Sequence, residues 1–519
     1  MTTETRNLPA LREETPSTAP ATPAAEVQTS RASLIDRTLA RLRSIAGGAR
    51  LPFVGGDNPD LPDEEAAKLR EQMRACLEAR GGEVLARAQA ANIAQIYLGL
   101  SGEGRRRFFE VLAHEFAVDD GKVADAMTAY HAATTAGQRL QAQAALRHVL
   151  VAPYVELLTQ FNALPAGIKF LVDMRADLMR HVRNDPFIAA LDGNFRDLLA
   201  SWFDVGFLRL ERITWDSPAA LLDKLIAYEA VHEIRSWEDL RHRLHRSRRC
   251  YAYFHPSMPG EPLIFVQVAL VEGIAGSVQR LLDPQVSDPQ PEEADTAIFY
   301  SISNAQSGLR GISFGNFLIK RVVDHISRDL PNVKTFATLS PMPGFKVWLA
   351  GQLESAAPRD VLTEDEERKL GEHAARLGRE ASLASLLDQP GWHADEKLVE
   401  ALQEPLLKAA ARYLLARRSD GKPLDPVARF HLGNGARIER VNIQADLSRQ
   451  GLSNSLGVMV NYLYHRDEIE RNHEAFAQDN VVTVSGDISD LLKGQAVLKD
   501  KKVRVSRTRG ALGRMIGLS

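Results

Sequence analysis

Residues 297–326 read Ala297-Ile-Phe-Tyr-Ser-Ile-Ser303, then Asn304-Ala-Gln306-Ser-Gly308-Leu-Arg310-Gly311-Ile-Ser-Phe-Gly315, then Asn316-Phe-Leu-Ile-Lys-Arg-Val-Val-Asp-His-Ile326. The first part is β-branched and aromatic, the second glycine-rich, and the third apolar at intervals of three and four, so the order is strand, loop, helix. Glycines let a backbone approach a ligand closely, and free amides at a helix start, with the helix dipole behind them, suit a pyrophosphate. Arg310 would add a charge-assisted contact. The spacing is neither a P-loop nor a dinucleotide fingerprint, and the loop alone reads equally well as a tight connection. Just downstream, Lys334-Thr-Phe-Ala-Thr-Leu339 reads as a second strand, with Ser340 at its carboxyl end ahead of Pro341-Met342-Pro343-Gly344. Ligands gather outside such strand ends in α/β sheets. No Gly-x-Ser-x-Gly elbow surrounds Ser340, so an ordinary α/β-hydrolase nucleophile is not expected.

Outward from this centre the texture divides the chain. From Asp63 to Phe203 apolar residues recur at three and four, as in Ile93, Ile96, Tyr97 and Leu100, with breaks at Ser101-Gly102, Asp119-Asp120-Gly121, Ala152-Pro153 and Leu164-Pro165-Ala166-Gly167. That is a run of amphipathic helices, read as an all-helical domain over 61–203 that serves scaffolding or oligomerisation. Residues 1–60 read as a disordered tail and a lead-in helix, and 204–519 as a domain of mixed class. Within the latter, Cys250–His255 and Pro262–Leu270 form an expected hairpin, and about 363–418 an expected helical insertion. A further hairpin is expected where Asn434-Gly435 separates two apolar-alternating runs, which puts His431 three residues before a turn.

Composition narrows the partners. The chain has 519 residues, 45% hydrophobic, with 64 Lys and Arg against 67 Asp and Glu, so no overall field recruits nucleic acid or an anionic membrane. No apolar run approaches the roughly 20 residues of a bilayer span. The two cysteines, Cys76 and Cys250, make no disulfide framework and no metal-ligand spacing, and are expected in the core. Glu4, Glu13, Glu14 and Glu26 argue against an organellar presequence, which leaves the cytoplasm as the expected compartment. His242 and His245, within Arg241 to Arg249, read as a solvated basic face, with contact to a nucleotide phosphate as the alternative.

Several words in this order resemble the malonyl-CoA decarboxylase family. They include Phe170-Leu-Val-Asp-Met-Arg-Ala-Asp177, Ile213-Thr-Trp-Asp-Ser-Pro218, Tyr228-Glu-Ala-Val-His232, Phe299-Tyr-Ser-Ile-Ser303, Gly315-Asn-Phe-Leu-Ile-Lys320, Leu339-Ser-Pro341 and Phe430-His-Leu-Gly-Asn-Gly-Ala436. The resemblance implies an α+β chain: a helical N-terminal domain followed by a GNAT-like acyl-CoA-binding catalytic domain. It implies decarboxylation of malonyl-CoA without a metal or organic cofactor, by a homo-oligomer, dimer or tetramer. It places the catalytic pair on Ser340 and His431, the CoA loop on Arg310, Gly311, Ile312, Ser313, Phe314, Gly315 and Asn316, and a neighbouring tyrosine on Tyr464. Ser313 stands where some relatives carry glutamate, so no essential carboxylate is implied there. The expected chemistry is an enolate protonated by His431, titrating near neutrality, with Ser340 orienting the malonyl group and exchanging protons with it. An acyl-CoA-dependent acyltransferase, a CoA-binding scaffold and a hydrolase releasing free CoA are the competing readings.

Overall fold

The computed structural model describes residues 58–78, 82–182, 185–286, 289–312, 318–354, 364–376, 378, 382–493 and 502–506. The chain forms two compact units, Met1–Phe170 and Leu171–Ser519. The first is helical: α1 (Asp63–Leu77), α2 (Glu83–Gly99), α3 (Gly102–Glu115), α4 (Asp120–Ala132), α5 (Ala136–Val149) and α6 (Pro153–Asn162), with α7 (Gly167–Leu178) running across the boundary. The starts follow from local chemistry. Ser101 and Asp119 accept from backbone amides of the first turns of α3 and α4, Thr135 and Gln138 form a capping box on α5, and Pro153 occupies the first turn of α6. Its core is aromatic. Tyr97 packs edge-on to Phe108 at 5.0 Å and to Phe170 at 5.7 Å, and Phe161 meets Phe170 at 5.6 Å. Each such ring, buried from water, contributes about 2–3 kcal/mol. The contact boundary falls at Phe170/Leu171, ahead of the change in sequence texture near 203, because the end of α7 and α8 (Pro186–Trp202) pack within the second unit.

The second unit is built on one mixed sheet, with strands β1 (Arg209–Ile213), β2 (Arg248–Phe254), β3 (Pro262–Val271), β4 (Thr296–Asn304), β5 (Thr335–Thr338), β6 (Ser340–Pro341), β7 (Arg437–Asn442), β8 (Met459–Leu463), β9 (Val482–Val484) and β10 (Val503–Val505). Their order is β1-β2-β3-β4-β5-β8-β7-β9-β10, with β6 against β8. β2 and β3 form the expected antiparallel pair and are buried almost throughout, since helices cover both faces. β4 and β5 run parallel and are joined by α9 (Leu318–Asp329), whose Leu318, Ile319, Val322, Val323 and Ile326 are buried. α10 (Phe345–Glu354) follows the serine segment. The expected helical insertion contains Glu364–Arg376, Leu383–Leu387 and α11 (Glu396–Leu415), before α12 (Pro426–Gly433). Helical N-terminal region and mixed sheet together give the α+β class that the sequence implied.

The expected hairpin at Asn434-Gly435 is absent, and His431 lies on α12 instead. Asp425 caps that helix through a 2.7 Å bond from the Ala428 amide, and Pro426 begins it. Gly435, at φ +83°, ends it: its amide bonds Leu432 O at 3.0 Å and the Ala436 amide bonds His431 O at 3.1 Å. This is a Schellman ending. A Cβ at Gly435 would lie 2.2 Å from the Ile469 carbonyl, so glycine is required twice over. The left-handed residue that signals a two-residue hairpin is here a helix stop.

Candidate active site

Two strands bring the serine into place. The parallel pairing of β4 with β5 runs as far as Phe299 and Thr338, and the Leu339 amide still reaches Phe299 O at 3.0 Å. Ser340 then pairs with Val460 of β8, while the rest of β4 stays with β3. The two strands part beside Ser340 and the sheet opens. Asn461, fully buried, donates to Thr338 O at 2.6 Å and to Ala275 O at 2.9 Å, which fixes the edge of that opening.

Strand alternation puts Thr338, Ser340, Val460, Tyr462 and Tyr464 on the face covered by α12. From its last turn His431 lays its ring on Tyr462, with centroids 4.6 Å apart and planes 24° from parallel. Its Nε2 lies 3.1 Å from Ser340 Oγ and its Nδ1 2.8 Å from the Tyr464 hydroxyl. Ser340 Oγ also donates to Thr338 Oγ1 at 2.9 Å, and Thr338 Oγ1 accepts the Tyr462 amide at 3.1 Å. Proton counting assigns the tautomer. With its own proton on Thr338, Ser340 accepts from Nε2–H, and Nδ1 accepts from Tyr464. The set is therefore a chain of directed hydrogen bonds, Tyr464 to His431 to Ser340 to Thr338.

Every member is buried. Burial pushes His431 down to about 3, and among the described residues no carboxylate stands beside it to offset this. The expectation of an imidazole titrating near neutrality is thus corrected: the ring is neutral and its partner is a tyrosine hydroxyl. Burial likewise raises Tyr464 well above the usual phenol range. Below the helix, Asp425 has no cationic partner within bonding distance among the described residues; its Oδ2 sits 3.1 Å from the Tyr413 hydroxyl, which also reaches Pro343 O at 2.5 Å. Burial pushes its carboxyl up to about 6, against the pull of backbone amides and of Tyr413.

Of the expected CoA loop, Arg310 and Gly311 are exposed and Ile312 is buried. They follow the short turn Ser307–Leu309, and Gly311 has φ +80°. Ser313, Phe314, Gly315 and Asn316 lie outside the described residues. Thr338, Tyr462 and Asp425 are parts of the site that the sequence did not reveal. His242 and His245 line a cavity of about 1220 Å³ with His232, Arg235, Asp446 and Arg449, to which Ser340, His431 and Tyr464 do not contribute. Its Val278 packs with Ile298, Leu339 and Met459, so the cavity is on the opposite face of the sheet. Among the described residues, no group of three His, Cys, Asp or Glu side chains is placed to hold a metal, and no helix is long and apolar enough to cross a membrane.

A helical unit and a mixed sheet that opens beside a buried serine bonded to a histidine define an α+β protein. The comparisons give the family. The malonyl-CoA decarboxylase C-terminal domain model matches residues 206–502 and the N-terminal domain model residues 116–203. The chain belongs to the malonyl-CoA decarboxylase family. It is 39% identical over 407 residues to the mitochondrial malonyl-CoA decarboxylase of Anser anser anser, covering 75% of this chain and 80% of that protein. The Rattus norvegicus protein of the same name is 36% identical over 447 residues, covering 83% and 89%. The crystal structure of malonyl-CoA decarboxylase from Rhodopseudomonas palustris superposes with TM-score 0.75 at 39% identity, over 82% of this chain and 99% of that one.

Proposed function

We propose that this chain converts malonyl-CoA to acetyl-CoA and carbon dioxide, with Ser340 and His431 handling the proton. The observation that carries the reading is the buried hydrogen-bonded set Tyr464, His431, Ser340 beside the opening of the sheet. Loss of the carboxylate as carbon dioxide leaves two electrons, which the thioester carbonyl takes up as an enolate. A buried site strengthens whatever donors face that oxygen. The Ser340 hydroxyl then swings its proton away from Thr338 Oγ1 and gives it to the enolate carbon. The Nε2–H of His431 restores the serine, and Nδ1 takes the proton of Tyr464. One proton returns from solvent per turnover once acetyl-CoA leaves. A neutral imidazole fits this relay better than a charged one, because it gives at one nitrogen while taking at the other.

The loop from Arg310 to Asn316 anchors the CoA pyrophosphate, so that binding far from the chemistry positions the reacting carbon. An oligomer is the reading we favour for the first unit. α4 has no buried residue and α5 only Ala142, while Met127, Leu140, Leu150 and Val151 are exposed. Cys76 and Cys250 are free and buried, which fits a reducing compartment, and we propose the cytoplasm.

The test is incubation of the purified protein with malonyl-CoA and no acceptor, following acetyl-CoA, carbon dioxide and free CoA beside Ser340→Ala. Acetyl-CoA and carbon dioxide in equal amounts are expected, with kcat of the variant lower by on the order of a hundredfold. Full turnover by the variant would remove Ser340 from the chemistry, and free CoA in place of acetyl-CoA would mark a hydrolase.

A further inference from the structure

The word Phe170–Asp177 has no part in the chemistry above, yet it contains a buried arginine. Arg175 of α7 is 2% exposed. Its Nε and Nη2 donate to the two oxygens of Asp192 on α8, at 2.9 and 3.4 Å. Its Nη1 donates to the backbone carbonyls of Gly308, at 2.7 Å, and of Arg310, at 2.9 Å. The turn lies hard against α7 as well. A Cβ at Gly308 would sit 1.8 Å from the Val172 carbonyl, so only glycine permits this approach.

We infer that Arg175 is a positioning residue that aims the backbone of the Gly308–Gly311 turn at the phosphates of CoA, and so sets affinity for the nucleotide end of the substrate. The inference rests on the reading of Arg310 to Asn316 as the CoA anchor. The peptide joining Arg310 to Gly311 is planar and trans, so its carbonyl and its N–H point in opposite directions. Drawing the carbonyl into the buried guanidinium turns the Gly311 N–H outward, to the exposed side where Arg310 stands. Among the described residues nothing accepts that N–H. An outward amide beside an arginine is the donor set a phosphate oxygen takes. Arginine suits the task because its rigid fork satisfies a carboxylate and two carbonyls at once, whereas a lysine presents one point charge. Asp192 compensates the buried charge.

The test compares malonyl-CoA with malonyl-pantetheine, which has the same reacting end and no nucleotide. For Arg175→Met, KM for malonyl-CoA is expected to rise about tenfold with kcat within about threefold, while KM for malonyl-pantetheine is unchanged. Arg175→Lys should restore little. Asp192→Asn keeps the arginine and loosens its aim, so it gives the same selective pattern, more weakly, if the methionine variant does not fold. Equal effects on both substrates, or on neither, overturn the inference. Arg310→Ala is read separately: selectivity there with none at Arg175 removes the positioning role alone, and no selectivity at Arg310 removes the anchor itself.

Discussion

His431 ought to make the protein sensitive to acid in a way that one substitution cancels. In the folded chain, burial pushes its pKa down to about 3, whereas the unfolded chain takes up the proton at roughly 6.5. The folded value is depressed, so the neutral ring's contribution is complete above about pH 6.5 and is lost as pH falls toward 3. At pH 5 the unfolded histidine is almost fully protonated and the folded one is not, which costs about 2 kcal/mol relative to pH 8. At pH 4 the cost is roughly 3 kcal/mol. The non-titrating His431→Asn carries a fixed penalty for lost packing on Tyr462 but no slope of this kind. Urea unfolding of both proteins at pH 8 and pH 5, followed by circular dichroism, should therefore show their stability difference shrinking by about 2 kcal/mol toward acid. Parallel losses in the two proteins would mean that the ring takes up its proton inside the fold, and the neutral relay would fall with it.

Asp425 gives the opposite slope. Its folded pKa is raised to about 6 from roughly 3.9, so its contribution is complete below about pH 4 and is lost as pH rises through 6, a change of about 3 kcal/mol. Asp425→Asn keeps the bond from Ala428 and gives Tyr413 a donor, so it should gain on the parent between pH 4 and 7.5; a constant difference in urea unfolding would contradict the buried acid. Tyr464→Phe removes the proton that Nδ1 accepts, and kcat should fall about tenfold with KM unchanged. A steady-state assay giving the parental kcat would take Tyr464 out of the relay.

What could be read in the sequence was what short-range chemistry decides. The β-branched and aromatic runs of β2 and β3, separated by Pro256 to Glu261, allowed one assignment, and so did the helices whose starts carry Ser101, Asp119 and Pro153. Ser340 at a strand end was legible for the same reason. The helix of His431 was misread because Asn-Gly serves a hairpin and a Schellman ending alike. Asp425-Pro426 upstream, a cap followed by a first-turn proline, carried the deciding signal. Thr338 and Tyr462 stayed hidden because alternation gives the face of a strand and not its neighbour, and the pairing of β6 with β8 is remote in sequence. Arg175 was hidden more deeply. It reads as one polar residue of an amphipathic helix, and the carbonyls it serves come 133 and 135 residues later.

The bond between Ser340 and His431 spans 91 residues, and the helices from Glu364 to Leu415 lie between them. Tyr464 comes 33 residues later again. Bringing such ends together requires a large loop to close, and contacts of this range form slowly. On the ribosome the helical unit can consolidate early, because its contacts are local and it emerges first. The serine must wait, exposed at the end of an unfinished sheet, until β8 has emerged to take Ser340 and α12 has folded over it. The site is thus among the last parts of the molecule to exist, and a chain interrupted before Tyr464 holds most of the fold's mass but lacks the hydroxyl that closes the relay at His431 Nδ1.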